Sequence, residues 1–387
     1  MTKYIIKPLD TLFFRDGRPF NIGETGQMKV EGVFPPFPTT IVGSMRYALA
    51  TKQGWKPIRR NADWTKDNGL SEFKNIQASE FREILGDGNE LGQLSFSGPH
   101  LLYNSELVFP APAHILAKKT QCNQGLENIT RLKPTEKAFD TDLGENIRLT
   151  EPEQKCDGIK PLEGNWLTTQ GMQAVLDGGV PNSADIIEQK TLWVTEDRIG
   201  IRRNSKTHAT DDDALYQIQH IRLTKDTSLL MQINNLPKDW QAQSPNPMGG
   251  EQRMVWIDEA SENLDLPRPD PSNSNLDKFR YTIILITPAD FFDDNETNHE
   301  QTIAKAVTDL SKSSKLITAC VYKPKLVGGW NSRENKPLPL KPVVAAGSTW
   351  FLEADLEDKD RILKMNGKHI GKRNKWGFGQ ILIGIWK

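Results

Sequence analysis

Cysteine is scarce in this chain: Cys122, Cys156 and Cys320 are odd in number and far apart. No close pair can ligate zinc or run thiol exchange, so all three are expected to be reduced and structural. The six histidines are scattered as well, without a His-x-x-x-His spacing that would set two ligands on one helical face. A metal nuclease is disfavoured, and no cofactor is expected. No apolar run approaches the eighteen or so residues of a membrane span, and the first residues lack the basic, apolar and small-residue order of a secretory signal. An intracellular, cytoplasmic protein is the expectation. Net charge is also lacking: 49 basic against 50 acidic side chains leave −1, so the molecule as a whole has no long-range attraction for a polyanion. Any such partner must be held by local patches.

What is present fits a globular protein. Charged residues make up 26% and apolar residues 37% of 387 positions, a length comfortable for two domains. Periodicity is clearest in the last third. Lys278 to Thr287 reads as a buried strand, and Thr297-Asn298-His299-Glu300 as a capping box before a helix carrying Ile303, Val307 and Leu310. Leu316 to Lys323 and Ser348 to Glu353 read as strands, Asp358 to Met365 as a short helix, and Gln380 to Trp386 as a last strand. The order is β-α-β-β-α-β, a ferredoxin-like unit of the kind RNA-recognition modules share. The front begins the same way: Tyr4 to Leu9 as a strand, a helix capped at Pro38-Thr39-Thr40, and a returning strand at Leu94 to Leu102. The fold class expected is α+β, with two ferredoxin-like domains. Their expected limits are 1–262, with a polar, turn-rich insertion at about 121–181, and 277–387, joined by a proline-rich linker at 263–276.

Four clusters carry the candidate chemistry. The first strand runs into Phe13-Phe14-Arg15-Asp16-Gly17-Arg18-Pro19-Phe20, where Arg15 and Arg18 beside aromatic rings suit a loop that grips an anion and a flat ring. The helix start at Thr39 and Thr40, with Gly43 and Arg46, offers unpaired backbone N–H groups and a positive dipole end. A central segment, Arg198-Ile199-Gly200-Ile201-Arg202-Arg203, offers further phosphate contacts, although Asp211-Asp212-Asp213 would repel a strand lying over it. From Arg361 to Lys387 there are seven basic residues and no acidic one. Within that stretch, Gly371-Lys372-Arg373-Asn374-Lys375-Trp376-Gly377-Phe378-Gly379 mixes cations, rings and glycines that let a backbone approach phosphate. The plainer reading of this loop is a solvated turn with Trp376 and Phe378 tucked into the core. A further loop, Gly328-Gly329-Trp330-Asn331, is equally a stacking or docking element and an ordinary hairpin.

Taken together, Leu9 to Phe20, Phe34-Pro35-Pro36-Phe37-Pro38-Thr39-Thr40-Ile41-Val42-Gly43-Ser44-Met45-Arg46, Arg198 to Ile201 with Ala214-Leu215-Tyr216, Gly328-Gly329-Trp330, Ala346-Gly347-Ser348 and Gly377-Phe378-Gly379 before Ile381-Leu382-Ile383-Gly384 resemble a known family. It is that of the third subunit of type III-B CRISPR (Cmr) effector complexes, one of the RAMP proteins. The resemblance covers nearly the whole chain. It implies a non-catalytic RNA-binding subunit that holds the 5′ handle of the CRISPR RNA and contacts both the large polymerase-like subunit and a backbone RAMP subunit. RNA contacts are then expected from Phe14, Arg15, Arg18, Thr39, Thr40, Arg46, Arg198, Arg202, Arg203, Trp330, Lys372, Arg373, Lys375, Trp376, Gly377, Phe378 and Gly379. Two rivals stand beside it. A metal-independent endoribonuclease that processes CRISPR RNA would need His208, His220 or His369 as general base, and a protein-only scaffold would turn its basic clusters toward acidic neighbours.

Overall fold

The computed structural model describes residues 1–15, 29–55, 78–88, 90–120, 125–141, 144–203, 210–261, 264–270, 272, 277–292, 299–331 and 336–387. It is a mixed α/β chain with more strand than helix. Two compact units interleave along the sequence: one takes residues 1–99, 190–261 and 326–341, the other 100–189, 262–325 and 342–387.

In the first unit the strand Thr2–Pro8 is central. It pairs antiparallel with Thr227–Asn234 on one side, Tyr4 opposite Met231, and with Met254–Glu259 on the other, Ile6 opposite Ile257. Period-two alternation buries Tyr4 and Ile6 on one face and leaves Lys7 exposed on the other. Helix Pro38–Lys52 starts where Phe37 is extended and Pro38 has no N–H to waste, and it buries Ile41, Val42, Met45, Ala48 and Leu49. Its buried polar groups bond to one another: buried Asn246 donates to Ser44 Oγ at 2.8 Å, and Ser44 Oγ donates to Pro247 O at 2.7 Å. A long hairpin, Trp193–Arg203 with Thr210–Leu223, is joined to the chain after the first strand by reciprocal bonds between Leu12 and Ile221, both 2.8 Å. Phe13, Val30 and Ile218 form a small core beneath it.

In the second unit, Phe279–Leu285, helix His299–Thr308, Lys315–Cys320, Thr349–Ala354, helix Lys359–Leu363 and Ile381–Ile385 follow in the order β-α-β-β-α-β. The sheet runs Lys315–Cys320, Thr349–Ala354, Phe279–Leu285, Ile381–Ile385, every neighbour antiparallel. Ile283 faces Trp350 on one side and Ile383 on the other, and these strands bury Tyr281, Leu285, Leu352 and Ile381 with Val307 and Ile362 of the helices. The stretch from 121 to 181, turn-rich in composition, holds regular structure: a hairpin Leu126–Thr141 with Gly144–Pro152, a strand Asn165–Thr168 and a helix Thr169–Leu176. Thr168 caps that helix, its hydroxyl accepting from Gly171 N at 3.0 Å. Residues 264–270 carry neither helix nor strand.

Candidate nucleic-acid interface

The glycine-rich loop enters the last strand of the second unit through a series of left-handed residues. Gly379 has φ +70, and a Cβ there would lie 1.9 Å from Ile370 O; Gly371 has φ +80, with a Cβ 2.6 Å from Asp290 O. Only glycine fits either place. The backbone is then pinned: Lys372 N donates to Asp290 O at 2.6 Å and Gly379 N to Pro288 O at 2.8 Å. Thr287 Oγ1 donates to Gly377 O at 2.8 Å while accepting from Gln380 N at 2.9 Å.

Three expectations about this loop are corrected. Phe378 is fully buried, so its ring is a core group with no face open to a base. Arg373 is turned inward: its Nε donates to the buried Asp290 carboxylate at 2.6 Å and its guanidinium lies over the Phe378 ring at 4.1 Å. The N–H groups of Gly377 and Gly379 are committed to Asn374 O and Pro288 O, at 3.0 and 2.8 Å, rather than offered to phosphate. The loop presents to solvent Lys372, Asn374 and Lys375, all exposed, with Trp376 and Arg373 half-buried. The glycines and the Arg373–Asp290 pair set a stiff base, and the lysines stand on it.

In the first unit the predicted residues scatter. Thr40 is exposed and Thr39 half-buried at the start of their helix, whose first turn has no acidic residue, but Thr40 N already donates to Phe37 O at 3.0 Å. Arg46 is 5% exposed and donates to Gly88 O and Glu90 O, at 3.1 and 3.2 Å. It closes a neighbouring loop and cannot reach RNA, which corrects its assignment; burial pushes its pKa down to about 10, against the pull of Asp87. Phe14 is 5% exposed and stacked on Phe34 with centroids 6.3 Å apart, a core ring as well. Arg15 is exposed, its backbone bridged to Gly32. Arg18 lies outside the described residues; Arg202, Arg203 and Trp330 sit in strands, with side chains outside the description.

Arg198 joins a cluster that the sequence did not reveal. Glu196 binds Arg198 at 2.8 and 3.0 Å and Arg222 at 2.7 and 2.8 Å. Asp10 meets Arg222 at 3.2 Å and both Arg198 and Arg253 at 3.4 Å. The carboxyls of Glu196 and Asp10 are held below the usual range. For Glu196 the cause is the bonds from Arg198 and Arg222; for Asp10, slight desolvation is outweighed by the Thr11 N–H and the same two arginines. Arg222 and Arg253 escaped detection because neither has a basic neighbour in sequence. Hairpin register, with Glu196 opposite His220, brings Arg222 to Arg198, and Arg253 arrives from the turn before Met254–Glu259. Period-two placement of Glu196 with Arg198 and of His220 with Arg222 is the one local signal.

Two of the three candidate bases are confined. His220 is fully buried, its Nδ1 2.9 Å from Thr11 Oγ1 and its ring stacked on Phe13 at 5.4 Å. Burial, then Arg253 and Arg198, lower its pKa, against Glu251 Oε2 at 3.0 Å. His369 is half-buried, Nδ1 donating to Phe378 O at 2.8 Å, with its pKa lowered by burial. His208 lies outside the described residues. Among the described residues no group of three or more His, Cys, Asp or Glu could hold a metal, and no helix is long and apolar enough to cross a membrane.

Comparison with known proteins follows the same lines. A search of curated proteins gave no match. Among solved structures, the chain is similar to a chain in a cryo-EM structure of the type III-B Cmr-beta complex bound to cognate target RNA and AMPPnP: 15% identity, TM-score 0.48, 90% of this chain and 86% of that one. A chain of the Csm3–Csm4 subcomplex of the type III-A CRISPR-Cas interference complex is similar at 11% identity and TM-score 0.37, over all of both chains. Likenesses this distant carry no weight alone. The family model of the CRISPR-associated protein Cas_Cmr3, however, matches residues 4–386. The chain belongs to the Cas_Cmr3 family of CRISPR-associated proteins.

Proposed function

We propose that the protein is a non-catalytic RNA-binding subunit of a type III-B CRISPR effector, a hetero-oligomeric ribonucleoprotein. It anchors the 5′ handle of the guide RNA and bridges the large polymerase-like subunit to the backbone RAMP subunits. One observation carries the reading beyond family membership: Lys372 and Lys375 stand exposed on a loop whose backbone is pinned by Asp290, Pro288 and Thr287. The surrounding stretch, 361–387, has no acidic side chain. Fixed lysines neutralise phosphates without reading bases, and a pinned loop sacrifices little conformational entropy on binding. Trp376 beside them supplies a ring for a base. The full burial of His220 supports binding over cleavage.

The same reading gives the carboxy-terminal elements a ferredoxin-like fold, supported by their sheet order of second, third, first and fourth strand. It places a second such domain in 1–262, joined through 263–276. The test is charge reversal of both lysines, K372E with K375E, followed by guide-RNA binding in the assembled complex. Binding should weaken, and each phosphate that is no longer neutralised should lower the salt slope by about 0.7 for a single strand. RNA cleavage by the purified chain in EDTA would show instead a metal-independent endoribonuclease.

A further inference from the structure

Arg198 and Arg222 come from the two strands of the hairpin and Arg253 from the turn before Met254–Glu259, and all three point guanidinium groups at one exposed carboxylate, that of Asp10. Its fit there is loose. The distances to Asp10 are 3.2, 3.4 and 3.4 Å, whereas Glu196 holds Arg198 and Arg222 at 2.7 to 3.0 Å. Charge-assisted bonds from nitrogen to a carboxylate normally close to about 2.7–2.9 Å. Glu196 therefore fixes two of the guanidiniums, and Asp10 meets all three arginines only at longer range. Oδ2 serves two arginines at once.

The charges also leave room for one anion. Three arginines face Glu196, Glu251 and Asp10, and Arg253 is held by Glu251 at 3.2 Å as Arg198 and Arg222 are by Glu196. Without Asp10 the group carries one net positive charge. Asp10 is the member best able to leave, since its side chain is 50% exposed, against 34% for Glu196 and 36% for Glu251. A phosphodiester carries the same single charge, with non-bridging oxygens set wider apart than those of a carboxylate, and guanidinium forks match it.

We propose that Arg198, Arg222 and Arg253 form a phosphodiester slot that Asp10 fills in the free chain and vacates when single-stranded RNA binds. The proposal rests on the RNA-binding reading above and adds a second phosphate site with a built-in competitor. Glu196 and Glu251 are positioning residues that hold the guanidiniums apart.

The test measures fluorescence anisotropy of a labelled single-stranded oligoribonucleotide with the full chain across a salt series. Asp10→Asn removes the competitor and keeps its shape, so affinity should rise about two- to fivefold, the span of an exposed ion pair. Arg222→Gln should weaken binding, lower the salt slope by about 0.7 and erase the gain when combined with Asp10→Asn. A purely structural Asp10 gives the opposite: lower thermal stability and no gain in affinity, which overturns the slot. A gain toward a polyglutamate peptide but not toward RNA overturns it as well. If Asp10→Asn fails to fold, an unchanged salt slope in Arg222→Gln is sufficient to reject the proposal. Weakening by K372E with K375E alongside an unchanged Asp10→Asn defeats the slot alone; RNA binding that neither K372E with K375E nor Arg222→Gln weakens defeats both readings.

Discussion

Replacing Phe378 with alanine distinguishes a core ring from a base-stacking one. The ring is fully buried, and the Arg373 guanidinium that covers it, 4.1 Å from its centroid, is anchored to Asp290 at 2.6 Å. Deleting a buried phenylalanine side chain costs about 3–5 kcal/mol, because a cavity remains where the surroundings cannot collapse. Here collapse is resisted on two sides, by the Arg373–Asp290 pair and by Gly379, whose backbone is pinned to Pro288. Removal of the cation–π interaction adds about 0.5–1 kcal/mol. Global denaturation of a chain with two compact units need not be two-state, so amide hydrogen exchange in Phe279–Leu285 and Ile381–Ile385 is the better assay. Protection there should fall by about two and a half to four orders of magnitude, at roughly 1.4 kcal/mol per tenfold. A change under about 1 kcal/mol, together with abolished RNA binding, would refute the reasoning and return the ring to the surface.

Other outcomes follow from the same geometry. Gly379→Ala meets both a left-handed φ and the Ile370 carbonyl 1.9 Å away, so it should cost about 2 kcal/mol or more and appear as proteolytic sensitivity near the last strand. Arg46→Ala leaves the Gly88 and Glu90 carbonyls without their donor and should lower local stability by about 1–3 kcal/mol, read by amide hydrogen exchange in helix Pro38–Lys52, while RNA affinity of the folded chain stays unchanged. His114 is buried against Thr349, with its pKa pushed down to about 3 by burial and by Arg131. The unfolded chain takes up its proton below about pH 6.5 and the folded chain does not until about 3. Stability therefore falls as pH drops through that window, by about 1.4 kcal/mol per unit, and His114→Gln should reduce the slope by one proton.

The last third of the fold was legible because its signals are local. Lys278 to Thr287 is expected as a strand and Phe279–Leu285 is observed; Gln380 to Trp386 is expected and Ile381–Ile385 observed, each bounded by proline or glycine. The stretch from 121 to 181 was illegible because its hairpin, Leu126–Thr141 with Gly144–Pro152, is polar, and its strand Asn165–Thr168 is held by a partner distant in sequence, Val108 opposite Thr168. Polar residues suit an exposed hairpin as well as they suit a loop. At the candidate site, the residue types of the glycine-rich loop marked the place but not the direction of each side chain. Arg373 and Lys372 are neighbours with opposite fates, because Arg373 adopts a left-handed φ of 53 that turns it onto Asp290. Burial likewise separates Arg46 from Arg198, and no local pattern announces it.

The central claim is that this chain holds a guide RNA through lysines on a pinned loop. It is tested most directly by the affinity of the assembled complex for guide RNA when Lys372 and Lys375 are both changed to glutamate. The account predicts weaker binding and a salt slope reduced by about 0.7 for each phosphate released, with the complex still able to assemble through its protein interfaces. Unchanged affinity and slope in a folded variant would contradict it.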